Sequence, residues 1–184
     1  MGLKPGERRR QILQVLAGML EQPQGEKVTT ALLAARVGVS EAALYRHFAS
    51  KAQMFEGLIE FIEESIFVLA NQIAASQPDG RAQVAETVAL LLAFADENPG
   101  MVRVLAGDAL AHEDARLQAR INRLQDRLEA SFRQSLQLAG HPAYAEAASV
   151  VLSFVVGRWQ LFSKSGLKRR PTEPWAALTR VLAA

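Results

Sequence analysis

The 184-residue chain contains no cysteine, which excludes disulfides, thiolate metal sites and a cysteine nucleophile together, and is compatible with a reducing compartment. It also lacks a long hydrophobic run: the longest, Val88 to Ala95, falls far short of the ~20 residues that a spanning helix needs, so no membrane partner is expected. The opening Met-Gly-Leu-Lys-Pro-Gly-Glu-Arg-Arg-Arg leads into an amphipathic stretch rather than a uniformly apolar one. It does not read as a signal peptide, and a cytoplasmic location is expected. No segment shows strand alternation, low complexity or an internal repeat. Gly-Lys-Ser/Thr phosphate loops, Gly-x-Ser-x-Gly elbows and His-Glu-x-x-His pairs are all missing. The chain is therefore not read as an enzyme, and no catalytic residue, cofactor or metal is expected. The one ligand-like cluster is His112-Glu113-Asp114, and consecutive residues on a helix point in different directions, so they do not converge on one ion.

What is present is the composition of a soluble globular protein, 49% hydrophobic and 22% charged, in a chain long enough to bury a real core. The net charge of +2 hides an asymmetry. Residues 1–55 hold eight Lys and Arg against four acids, whereas the remainder holds 13 against 15, giving +4 and −2. A basic N-terminal third on a slightly acidic body points to a nucleic-acid-facing end.

Helical periodicity accounts for the whole chain, and about nine helices are expected. The first runs from about Glu7 to Gln22 and is stopped by Pro23 and Gly25. Thr29 or Thr30 caps a short second helix that carries Leu32, Leu33, Ala35 and Val37 up to Gly38. Ser40 caps a short third helix reaching His47, with Glu41 well placed in its first turn. Ser50-Lys51-Ala52-Gln53 spells a capping box opening a long fourth helix, with Met54, Phe55, Leu58, Ile59, Ile62, Ile66, Leu69 and Ile73 on its inner face. Helix 5, about Arg81 to Glu97, is nearly all apolar and is expected to be buried; helix 6 spans about Met101 to Ala111. Leu117, Ile121, Leu124 and Leu128 repeat as in a coiled-coil seam on a seventh helix ending near Leu138. Ala143 to Ser163 forms the eighth, and Thr172-Glu173-Pro174 opens a ninth that runs to the terminus.

A short capped helix, a glycine turn and a second capped helix is the helix-turn-helix arrangement, whose second helix enters the major groove. Leu33, Val37, Val39, Leu44 and Phe48 form the apolar wedge between the two helices, and Gly38 supplies the positive φ of the turn. Residues 29–51 resemble the head signature of the TetR family nearly position for position. That resemblance implies an all-α fold with a three-helix head at 1–52 and a helical dimerisation and partner-binding body at 53–184. It also implies double-stranded, palindromic DNA as a partner. Thr29 or Thr30 would touch phosphate, Ser40, Glu41, Ala42 and Ala43 would approach bases, and Tyr45, His47 and Lys51 would hold the backbone. Arg46 would reach a guanine edge or a phosphate. Taken singly, an aromatic such as Tyr45 is more often core, and a histidine such as His47 is more often merely satisfied. Arg8 to Arg10 are either a solvated helix start or a further phosphate contact.

The body carries a second resemblance. Phe55-Glu56-Gly57-Leu58-Ile59-Glu60-Phe61-Ile62-Glu63, Glu97-Asn98-Pro99-Gly100, Arg116-Leu117-Gln118-Ala119-Arg120-Ile121-Asn122-Arg123-Leu124 and Lys168-Arg169-Arg170-Pro171-Thr172 are similar to the nucleoid occlusion factors within the TetR family. The similarity spans nearly the whole chain. It implies a nucleoid-associated protein that, bound to dispersed chromosomal sites, inhibits ring assembly by the tubulin-like FtsZ. It further implies a homodimer built on Ala143–Ser163 and Trp175–Leu182, and an FtsZ C-terminal tail held by Phe61, Ile62, Leu69, Leu90, Phe94 and Asn98. In that groove Leu69 and Glu97 stand where the resemblance leads one to expect arginine. Independently, Ala147, Ala148, Val151, Leu152, Val155 and Val156 form an apolar face on helix 8 that calls for a partner. Arg116, Arg120, Arg123 and Arg127 make a basic stripe, read as a solvated face or an anion site. The alternative function is a ligand-responsive TetR-type repressor, with a small molecule in the body near Leu90, Leu91, Leu92 and Phe94.

Overall fold

The computed structural model describes residues 5–22, 28–111 and 113–175, which form eight α-helices and one 3₁₀ turn with no strand among them. The helices are α1 (Pro5–Leu20), α2 (Thr30–Val37), α3 (Glu41–Tyr45), α4 (Lys51–Ser76), α5 (Gly80–Glu97), α6 (Pro99–Leu105), α7 (Ala115–Leu138) and α8 (Tyr144–Lys164). The 3₁₀ turn, Asp108–Leu110, lies between α6 and α7. The expected ninth helix and Trp175–Leu182 dimer element fall chiefly on residues outside those described, as do Pro23 and Gly25.

Local chemistry sets most boundaries. Thr29 caps α2, Ser40 caps α3 and Ser50 caps α4, each accepting a hydrogen bond from an otherwise orphaned amide three residues on. At Ser50 the reciprocal half of the box is displaced by one residue: Gln53 Oε1 accepts from the Ala49 amide at 2.8 Å. Helix α3 closes at Tyr45 rather than His47. Helix α6 stops at Leu105 because Gly107, at φ 81, turns the chain left-handed before the 3₁₀ turn.

One continuous core runs from Ile12 of α1 to Phe162 of α8, joining head and body. The α7 seam behaves as its spacing predicts: Leu117, Ile121, Leu124 and Leu128 are all buried, each stabilising by roughly 1.5–3 kcal/mol. Trp159 of α8 is fully buried and donates through Nε1 to the Leu91 carbonyl of α5 at 3.2 Å.

Three expectations are corrected. Helix α5 is not buried all round, since Arg81, Ala85, Glu86, Ala89 and Glu97 are exposed; small alanines within the apolar run allow one face to meet solvent. Leu69 does not lie on the inner face of α4 but is 44% exposed, beside Val68 at 56%. Of the α8 face assigned to a partner, Ala148 and Val155 are buried within the chain, while Ala147, Val151, Leu152 and Val156 pack against the core but keep part of their surface. The exposed large apolar residues of α8 are Tyr144, Val150 and Leu161.

Candidate nucleic-acid interface

Helices α2 and α3 are locked by the expected wedge, with Leu33, Val37, Leu44 and Phe48 buried and Val39 partly so. Gly38 sits at φ 76, its amide returns to the Ala35 carbonyl at 3.2 Å and the amide of Val39 returns to the Ala34 carbonyl at 3.0 Å, so the turn satisfies two carbonyls of the last turn of α2. This geometry leaves Ser40, Glu41 and Ala42 exposed and Ala43 partly exposed at the N-terminal end of α3, the part of a recognition helix that meets base edges. Ala42 and Ala43 offer only methyl groups, which suit a thymine methyl.

Polar side chains around this end are already organised. Thr29 Oγ1 is occupied in capping, while Thr30 Oγ1 donates to Glu41 Oε2 at 2.7 Å, joining the first residues of α2 and α3. Tyr45 is 45% exposed, Arg46 is exposed, and His47 is partly buried. Lys51, the first residue of α4, turns its ammonium toward Glu113 and lies 5.7 Å from the Phe55 ring centroid. Arg9 stacks over Phe48 at 4.6 Å and approaches Glu60 at 3.5 Å, so within the Arg8 to Arg10 run this residue clamps α1 to α4.

Two junction residues carried no local sequence signal. Arg103 of α6 donates to the Leu20 and Gln22 carbonyls at 3.2 and 3.0 Å, satisfying the open end of α1. Glu113, read with His112 and Asp114 as a cluster, is separated from its neighbour's role: Asp114 caps α7 and binds Arg116 at 2.7 Å, and His112 lies outside the described residues. Hydrogen bonds from Arg116, first those of its side chain and then that of its backbone, pull the Asp114 carboxyl down to about 2. The same pairing raises Arg116. Arg120 is raised chiefly by its hydrogen bond to Glu63, at 2.8 Å. Arg127 stacks over Phe67 at 3.6 Å. Three of the four stripe arginines thus already have anionic or aromatic neighbours within the chain, and this supports the solvated-face reading.

The residues assigned to a partner groove separate into classes. Ile62 is fully buried and belongs to the core, a correction, because a side chain without surface offers nothing to a partner. Phe61, Leu90, Phe94 and Asn98 are partly exposed, and the Asn98 side chain donates to the Phe94 carbonyl at 2.9 Å. With a turn of about 100° per residue, Phe61, Ser65, Val68, Leu69 and Gln72 form one accessible strip along α4.

A capped helix pair, an exposed recognition-helix start and a helical body carried on a long α4 define a helix-turn-helix DNA-binding protein of the TetR type. Residues 24–58 match the family of bacterial regulatory proteins called tetR, and residues 78–183 match the SlmA-like family of tetracyclin repressor-like C-terminal domains. The chain is 47% identical to the nucleoid occlusion factor SlmA of Alteromonas mediterranea, over 97% of each chain. It is 46% identical to SlmA of a Marinomonas species, over 100% of this chain and 96% of that one. In fold it resembles the fatty acid degradation regulator FadR of Bacillus halodurans, with TM-score 0.78 and 14% identity over 98% and 96% of the two chains. The chain belongs to the SlmA family of nucleoid occlusion factors within the TetR family.

Proposed function

We propose that the protein binds palindromic sites scattered over the chromosome as a homodimer and, once bound, inhibits assembly of the FtsZ ring over the nucleoid. The observation that carries this reading is likeness to SlmA at 46–47% identity through the body as well as the head. Residues 1–52 supply the DNA contacts, from Thr29, Thr30 and Ser40 through Lys51, and residues 53–184 supply dimer and partner surfaces. Val150 and Leu161, exposed on α8, together with the partly exposed Val151, Leu152 and Val156, are apolar positions available to a second copy. The accessible strip of α4, with Phe61 and Leu69, is the surface offered to the FtsZ tail. No helix among the described residues is long and apolar enough to cross a membrane.

The filled interior of the body supports this reading over a ligand-gated repressor. Ile66, Leu91, Leu128, Phe132 and Trp159 pack it with 1% exposure or less, and the open clefts lie at the periphery: about 370 Å³ at the α1–α4 edge, about 370 Å³ beside the polar Gln83, Gln134 and Ser135 at the end of α7, and about 430 Å³ at the end of α8. Titration of a labelled FtsZ tail peptide onto the protein, with and without duplex DNA, tests it. Saturable binding that Phe61→Ala abolishes while DNA affinity is retained supports the reading. No binding in either state overturns it in favour of the repressor. Chromosome-wide footprinting separates many dispersed sites from one or a few promoters.

A further inference from the structure

Lys51 occupies an electrostatically awkward place. It is the first residue of α4, where the helix dipole is positive, and no acidic residue lies in that helix's first turn. A cation at that pole calls for a counter-ion, and the chain supplies it from 62 positions away: Glu113, in the segment between the 3₁₀ turn and α7. The pair is sheltered, with the Lys51 side chain 25% and the Glu113 side chain 17% exposed. A DNA phosphate is the other anion suited to a helix N-terminus carrying a lysine.

We propose that Glu113 is a positioning residue of the DNA interface: in the free protein its carboxylate holds the place at Lys51 that a backbone phosphate takes on DNA binding. The inference rests on the reading of the head as the DNA-contacting unit. Phosphate and Glu113 compete for one ammonium, so the body resists DNA loading by the strength of this pair. Loading, in turn, releases the segment that leads into α7. The head thereby reports its occupancy to the body through a counter-ion exchange.

The test is a mutant cycle on the full chain with duplex DNA containing its site, without FtsZ. Glu113→Gln is expected to tighten binding roughly two- to fivefold, the range of a partly exposed ion pair, and to leave the salt slope unchanged. Lys51→Ala is expected to weaken binding and to lower the log-log salt slope by ~0.9 per subunit. In the Lys51→Ala background, Glu113→Gln is expected to have no effect on affinity. Amide exchange at Glu113 and Asp114 is expected to quicken when the unsubstituted protein binds DNA. Weaker binding by Glu113→Gln, an equal effect with and without Lys51, or a Lys51→Ala slope unchanged from the parent would each overturn the proposal. A tail peptide that fails to bind overturns the occlusion reading alone and leaves this cycle intact.

Discussion

The Thr30 hydroxyl donates a 2.7 Å hydrogen bond to the Glu41 carboxylate, so α2 and the proposed recognition helix α3 are tied at their first residues. Glu41 is thus positioned by a residue whose own expected contact is to phosphate. Thr30→Val is therefore expected to change discrimination between a specific site and random DNA, as Glu41→Gln does. The two effects should be non-additive by about 0.5 kcal/mol or more, the coupling typical of residues in direct contact. Competition binding by the two single variants and the double variant measures it, and strict additivity contradicts the tie.

Gly100, near the start of α6, packs against the backbone of α1, where an added Cβ would lie 2.0 Å from the Ala17 carbonyl oxygen. Neither partner is a flexible side-chain end, so the helices must separate. Gly100→Ala is expected to destabilise the fold by about 1–3 kcal/mol, the usual range for overpacking. For a chain of this size that corresponds to a fall in Tm of roughly 2–12 °C, read by thermal unfolding. Gly18→Ala, with nothing within 4 Å of its added Cβ, is the matched control and should leave Tm unchanged or raise it.

Leu69, exposed at 44% on the accessible strip of α4, stands where the family resemblance leads one to expect arginine. Leu69→Arg is expected to speed association of an acidic tail peptide and steepen its salt dependence, leaving DNA affinity unaltered. Charges at the rim of an interface act mainly on encounter. Stopped-flow binding at two ionic strengths decides it; an unchanged on-rate would remove Leu69 from the contact.

The Asp114 cap makes a prediction about pH. Its folded value, about 2, lies below the ordinary 3.8, so the cap's contribution is fully present above pH 3.8 and is lost as pH falls through about 2. The stability difference between the parent and Asp114→Asn should accordingly shrink between pH 4 and pH 2, by a small amount because the pair with Arg116 faces solvent. Arg116→Ala should return the Asp114 titration midpoint, followed by NMR, toward 3.8.

Features fixed by nearest neighbours were legible in the chain. Thr29, Ser40 and Ser50 announce helix starts because their hydroxyls need only an amide three residues on, and Leu117 to Leu128 announce a seam because burial follows the helical repeat. Leu69 lies off its expected inner face for the complementary reason. Periodicity marks which positions are apolar, but which of them are covered depends on where a neighbouring helix arrives. Helix α6 ends short of the expected Ala111 because Gly107, two residues past Leu105, takes a left-handed φ. Lys51–Glu113 and Arg103–Leu20 join residues 62 and 83 positions apart, and neither pair shares any local pattern. They emerge only when the head is folded onto the body.

The grip of Arg103 on the last carbonyls of α1 has a bearing on how such proteins diversify. A head whose first helix is finished by a donor from the sixth is not a cassette that can be exchanged at residue 52. A chimera that imports a foreign head inherits an α1 whose end must still meet Arg103 and whose last turn must still accommodate Gly100. New operator preferences are therefore more readily reached by substitutions on the outward side of α3 than by recombination between relatives.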